Sequence, residues 1–240
     1  MIAPEATRPA LVIERLEGGY GESPVLRGVS LDVRPAEIFA ILGKNGMGKT
    51  TLLKTVIGLL PARSGRTVVL GHDVTSWPPY RITRLGVSYV PQEKSIFQDL
   101  SVEENLRLAL REPTDYRERF DRVARWFPVL AARQRQRAGT LSGGEQKMLL
   151  IGRALLTRPC LVLVDEITEG LQPAMITRLR EVLTEERRVN GTTIVLVEQN
   201  VGFALALADR YAVLKVGTVV ETGPAADPGA RENVERHLVI

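Results

Sequence analysis

The 240-residue chain reads as an α/β fold with a mainly parallel sheet, on three observations. Strand-like and helix-like segments alternate along its length. One short apolar run, residues 37–42 (EIFAIL), leads straight into a glycine-rich turn and a helix. A second, residues 160–166 (CLVLVDE), ends in two carboxylates, at the strand end where open α/β sheets bind ligands.

In chain order, residues 11–16 and 25–33 read as strands, followed by the strand at 37–42. Residues 50–60 read as a helix stopped by Pro61, and 86–90 as another short strand. The stretch 102–136 is rich in Arg, Glu and Leu at helical spacing, and reads as a helical insertion without strands. Then follow a glycine turn, a helix at 144–156, a buried strand at 161–164, a helix at 174–188 and a strand at 193–197. The chain closes with a helix at 202–208, strands near 212–216 and 219–221, a loop at 223–229 and a short helix at 231–238. No internal repeat or low-complexity segment interrupts this order.

Composition narrows the class. Hydrophobic residues make up 44% and charged residues 25%, near the globular average, which excludes disordered and collagen-like chains. A single cysteine, Cys160, excludes an intrachain disulfide framework. No apolar run approaches the ~20 residues needed to cross a bilayer. The opening MIAPEATRPA lacks an apolar stretch, so no secretory leader is expected. The net charge of +4 comes from scattered arginines rather than one basic block, and reads as a solvated surface.

Residues 43–50, GKNGMGKT, fit G-x-x-x-x-G-K-[ST], with a strand before and a helix after. Glycines let the backbone wrap an anion, and the loop amides and helix N-terminus offer it positive partial charge. Gly43, Asn45, Gly46, Gly48, Lys49, Thr50 and Thr51 are thus candidate nucleotide-binding residues. Lys49 is expected to reach the β- and γ-phosphates, and the Thr50 hydroxyl to bind Mg²⁺. Asp165 is expected to hold the same Mg²⁺, and Glu166 to polarise the attacking water. Acidic strand ends are common in themselves; the upstream phosphate loop gives this one its meaning.

Residues 140–147 read TLSGGEQK, ahead of Asp165. Read locally, Ser142 caps the helix that follows, and the glycines permit a tight turn. Such a turn also presents amides and a hydroxyl to an anion. With the three motifs in this order and spacing, residues 11–221 resemble the ATP-binding cassette (ABC) ATPases.

The resemblance implies a P-loop ABC ATPase fold: a mainly parallel nucleotide-binding core, an N-terminal antiparallel β lobe and a helical subdomain. It divides a single domain into a core at about 10–92 and 158–222, a helical subdomain at about 93–157 and a tail at 223–240. It implies that Tyr20 stacks on adenine, and that Gln92 reaches Mg²⁺ and the attacking water as a third metal-site and catalytic residue. Read locally, Tyr20 is also an ordinary strand-end tyrosine and Gln92 a loop glutamine after a proline. Ser142, Gly143 and Gly144 of one subunit are implied to close over ATP on the other. Two departures stand out. Gln172 replaces the usual aspartate in the subunit-contacting EGLQ stretch. Gln199, in LVEQN, replaces the usual histidine at the γ-phosphate, and glutamine donates a hydrogen bond without being able to charge.

The EQN variant, with VPQEKSIFQDLSVEENL and DEITEGLQP, is similar to ATPase subunits of importers for branched-chain amino acids or for urea and short-chain amides. The EGLQP stretch leans towards urea or amide. That resemblance implies ATP as substrate, Mg²⁺ as cofactor, two transmembrane permease subunits and a second ABC ATPase subunit, identical or different. An extracytoplasmic solute-binding protein would act indirectly, with no nucleic-acid partner and a peripheral place on the cytoplasmic membrane face. Residues 93–100 are expected to touch the permease. The alternative is an ABC ATPase of an export or lipid-extraction system, which the 88–106 stretch also resembles. Non-transport ABC ATPases usually carry coiled coils or paired cassettes, and the sequence shows neither.

Overall fold

The computed structural model describes residues 8–92, 96–110, 112 and 116–238. The expectation about a leader therefore falls mostly outside the described residues, as does part of the expected permease contact.

The chain opens with β1 (Leu11–Tyr20) and β2 (Ser23–Val33), paired antiparallel, then β3 (Ile38–Leu42) and α1 (Lys49–Val56). β4 (Ala62–Val69) and β5 (His72–Asp73) return to the first hairpin, giving a four-stranded sheet of order β2-β1-β4-β5. After α2 (Pro79–Thr83) and β6 (Val87–Val90) come α3 (Val102–Arg107), α4 (Tyr116–Trp126), α5 (Pro128–Ala132) and α6 (Gly143–Leu156). Then β7 (Leu161–Asp165), α7 (Pro173–Asn190), β8 (Thr193–Glu198), α8 (Val201–Leu207), β9 (Arg210–Lys215), β10 (Thr218–Pro224) and α9 (Ala230–Leu238) complete the fold. The second sheet has the order β10-β9-β3-β8-β7-β6, parallel except for β10.

The central strands are buried on both faces, so they read as unbroken apolar runs. Strand pleating sends alternate residues to opposite sides. Ala40, Val162, Val164, Ile194 and Leu196 join one apolar cluster with α4, α6 and α7. Phe39, Ile41, Leu161, Leu163, Val195 and Val197 join the other, with α1 and the antiparallel sheet. The phosphate-loop strand β3 lies mid-sheet, flanked by β8 and β9.

Three expectations need correction. The helix read over 50–60 ends at Val56: Gly58 has φ 78°, and a Cβ there would come within 2.4 Å of the Trp77 carbonyl oxygen. Pro61 therefore follows the stop rather than making it. β4 and β5 were not expected, because ARSGRTVV is mostly exposed and lacks clean alternation. Pairing with β1 holds β4, and Gly65 lets it approach closely, since a Cβ there would meet the Arg15 carbonyl oxygen at 2.3 Å. The helical stretch 102–136 carries no strand among its described residues, as expected; the isolated bridge between Ser101 and Arg137 flanks it and closes its base. Gly223 and Pro224, read as loop, extend β10 opposite Tyr211 and Arg210.

Candidate functional site

The turn after β3 is shaped by its glycines. A Cβ on Gly43 would stand 2.6 Å from the Leu214 carbonyl oxygen, and Gly46 and Gly48 take φ of 82° and 100°. Lys49 opens α1 and is buried. Its ammonium donates to the carbonyl oxygens of Gly43 (2.7 Å) and Lys44 (2.9 Å) and pairs with Glu166 Oε1 at 2.7 Å.

Next to it, Thr50 Oγ1 donates to Asp165 Oδ1 and the Tyr89 hydroxyl to Asp165 Oδ2, both at 3.0 Å. Asp165 is fully buried. Burial pushes its carboxyl above the usual range, and the two hydroxyl donors oppose that shift. Burial likewise pushes the Tyr89 hydroxyl up, so it stays a donor. Gln92 Nε2 donates to Glu166 Oε2 and to Glu169 Oε2, both at 2.9 Å. Glu166 itself has φ 44°, an uncommon backbone conformation for a residue with a side chain.

A cavity of about 340 Å³ is lined by Tyr20, Asn45, Gly46, Gly48, Lys49, Thr50, Thr51, Gln92 and Glu166, together with Val25. All but Val25 were expected from the sequence. Tyr20 is 48% exposed, so its ring offers a free face at the cavity wall. Gln199 is exposed and shares a neighbouring cavity of about 310 Å³ with Glu166, Glu169 and Glu198. At Asp165 the Thr50 hydroxyl and the carboxylate itself offer hard oxygens that suit a divalent cation such as Mg²⁺, while Gln92 turns its amide nitrogen to Glu166 and Glu169.

The Ser142 turn stands apart. Ser142 caps α6: the Glu145 amide donates to its Oγ at 3.4 Å, and its own amide donates to Glu145 Oε2 at 2.9 Å. That amide is the first cause holding the Glu145 carboxyl below its usual range. Ser142 and Gly143 are exposed. A Cβ on Gly144 would meet Met175 Sδ at 2.2 Å, so this glycine lets α6 lie close on α7. Among the described residues, no hydrogen bond or ion pair joins Ser142, Gly143 or Gly144 to the Gly43–Thr50 loop.

Sequence reasoning missed Tyr89, Lys147 and Glu198, and placed Glu169 only in the subunit-contacting EGLQ stretch. Glu198 carried a readable signal: TIVLVE ends in a carboxylate just as LVLVDE does. Tyr89 and Lys147 carried none, because only the sheet order and the α6 packing bring them to the loop.

This nucleotide-sized, glycine-framed cavity with a buried lysine–glutamate pair defines a phosphate-loop ATPase. The signature of the ABC transporter family matches residues 26–169, and the chain belongs to that family of ATP-hydrolysing proteins. It is 42% identical over 219 residues to the high-affinity branched-chain amino acid transport ATP-binding protein BraG of Pseudomonas aeruginosa, covering 90% of this chain and 94% of that one. It is 37% identical over 224 residues to the probable branched-chain amino acid transport ATP-binding protein LivF of Archaeoglobus fulgidus, covering 92% and 95%. It is 32% identical over 230 residues to the lipopolysaccharide export ATP-binding protein LptB of Escherichia coli K12, covering 94% and 95%. A solved structure of an ABC transporter ATP-binding subunit superposes with a TM-score of 0.82 at 29% identity, covering 94% of each chain.

Proposed function

We propose that this chain binds and hydrolyses Mg-ATP to power an ABC importer of branched-chain amino acids. The observation that carries the ATPase chemistry is Lys49, held at 2.7 Å from Glu166 inside a cavity framed by Gly46 and Gly48. Phosphate oxygens entering the loop compete for the Lys49 ammonium, which exchanges one anionic partner for another. That exchange releases the Glu166 carboxylate to accept a proton from the attacking water. Gln92 keeps Glu166 within reach, and Gln199, across the adjoining cavity, serves as a neutral donor towards the phosphate. Tyr20 stacks on the base. Thr50, Asp165 and Gln92 would hold Mg²⁺, which when bound would neutralise charge on the phosphates.

Ser142 and Gly143 are exposed, Gly144 is half-buried, and among the described residues none of them bonds to its own phosphate loop, so they serve a second cassette's ATP. The dimer closes on ATP and opens after hydrolysis, a shift driven by the closed state's higher affinity for ATP. Among the described residues no helix is long and apolar enough to cross a membrane. The kinship with transport ATP-binding proteins supports a peripheral place on the cytoplasmic face, with two permease subunits. A cavity of about 570 Å³ between β6, the turn after α3 and α6, lined by Arg84, Tyr89, Leu110, Leu150 and Arg153, would take a permease segment. Phe97 and Leu108, both over half exposed, provide apolar contact on the same subdomain. This extends the contact expected at 93–100, of which 93–95 lie outside the described residues.

Import is favoured over export because the relatives named for branched-chain amino acid transport are 42% and 37% identical, against 32% for lipopolysaccharide export. The test is recovery of tagged Glu166→Gln chain from native membranes with Mg-ATP. Two multi-span permeases and a second cassette are expected, and the cognate binding protein should take leucine in preference to urea or short amides. Recovery of soluble or nucleic-acid partners alone overturns the transport reading. A binding protein that prefers urea or amides overturns the solute.

A further inference from the structure

The loop that leaves β7 is held from two sides by residues that the mechanism above does not use. On one side, the Lys147 ammonium donates to the carbonyl oxygen of Ile167 at 3.2 Å and to that of Glu169. On the other, the Thr168 amide donates to Glu198 Oε1 at 3.1 Å and the Thr168 hydroxyl to Glu198 Oε2 at 2.8 Å. Three successive residues are thus fixed alternately through carbonyl, amide and carbonyl. Glu198 is 2% exposed, and a carboxylate is buried at a cost that only such charge-assisted bonds offset.

The residue just before this loop is Glu166, at φ 44°. A side-chain-bearing residue keeps that conformation only where its surroundings over-determine it. The Glu166 amide donates to the Val197 carbonyl oxygen at 2.9 Å, and the Lys147 and Glu198 contacts add to that hold by fixing the three residues that follow. Lys147 also lies one helical turn from Gly143 and Gly144, on the same face of α6. It therefore joins the turn that would serve one ATP to the carboxylate that would serve the other.

We propose that Lys147 and Glu198 are positioning residues that clamp residues 167–169, holding Glu166 in its working geometry and tying it to the Ser142–Gly144 turn. The inference rests on the reading of Glu166 and of the two-cassette site given above. It gives the buried Glu198, and the lysine in the glycine turn's helix, a task in turnover rather than in nucleotide binding.

The experiment compares Lys147→Met, Lys147→Arg and Glu198→Gln in the full chain. Three quantities are read: Mg-ATP affinity, turnover at saturating ATP, and amide hydrogen exchange across 166–171. Displacing a reacting group by about 1 Å costs roughly 10²-fold in rate. The clamp predicts a turnover loss of that order in Lys147→Met and Glu198→Gln, with affinity within about twofold and faster exchange at 167–171. Lys147→Arg, which still reaches both carbonyls, should recover most of the turnover. Glu198→Gln tests the same loop from the other side if a lysine variant folds poorly. The clamp is overturned if turnover holds, if affinity falls in step with turnover, or if exchange at 167–171 is unaltered. Glu166→Gln, measured alongside, separates the two readings: unchanged turnover there removes Glu166 from the chemistry, while loop exchange still judges the clamp.

Discussion

At the Gly43–Thr50 loop, Lys49 and Thr50 are buried or half-buried and bonded to Glu166 and Asp165, just beyond and at the end of β7. At Ser142–Gly144 the turn lies on the surface, and its bonds close on itself through Glu145. Both turns use glycine ahead of a helix, but for different reasons. Gly46 and Gly48 are needed for their positive φ, Gly144 for the approach of α7, and Gly143 for neither. The first turn thus brings its own lysine and threonine to the carboxylates, while the second leaves its hydroxyl and amides on the surface, as the proposed two-cassette site requires.

The largest break in this comparison comes from Glu166. Glu166→Gln keeps the shape and the Gln92 contact but removes the base, and turnover should fall by about 10²–10⁴-fold with Mg-ATP still bound. Equal turnover would show that the Lys49–Glu166 pair is structural only. Next is Lys49→Ala, which removes the charge-assisted bonds offered to phosphate. Bonds of that kind contribute about 1.5–3 kcal/mol, so nucleotide affinity measured by titration should fall by roughly 10–100-fold. Unaltered affinity would mean that the loop does not hold phosphate.

The two signature glycines sharpen the contrast further. In Gly144→Ala the new methyl displaces the flexible end of Met175, lowering thermal stability by ~1 kcal/mol. In Gly143→Ala nothing lies within 4 Å of the new methyl, so stability should hold within ~0.5 kcal/mol while turnover falls. Stability lost at Gly143, with turnover kept, would make the turn an ordinary helix start.

The smallest effect is the cap. Glu145→Ala should cost ~0.5–1 kcal/mol near neutral pH. Because the Ser142 amide lowers the Glu145 carboxyl in the folded chain, the cap's contribution is fully present above the ordinary carboxylate value of ~4.3. It is lost as pH falls through the lowered folded value. Thermal melts of both chains should therefore converge in acid, and a gap that widens there would contradict the assignment.

Much of this was legible in the sequence, for a physical reason. GKNGMGKT and CLVLVDE are runs in which neighbours along the chain do the chemistry, so local pattern and spacing carry the signal. The apolar strands of the parallel sheet were readable because burial on both faces removes alternation. β4 was not, since its polar, exposed residues are held by pairing with β1 from far along the chain. Tyr89 and Lys147 were hidden for the same reason: their partners lie on β7 or just beyond it, and no local pattern announces a contact made by packing.

Under the proposed function, one chain carries half of each catalytic site. This division is tested most directly by measuring turnover per chain alongside particle mass across a range of chain concentrations. Single chains should bind Mg-ATP without hydrolysing it, with turnover appearing only as two-cassette particles form. Full turnover by single-chain particles would show that the Ser142–Gly144 turn is not needed from a partner, and would contradict the account.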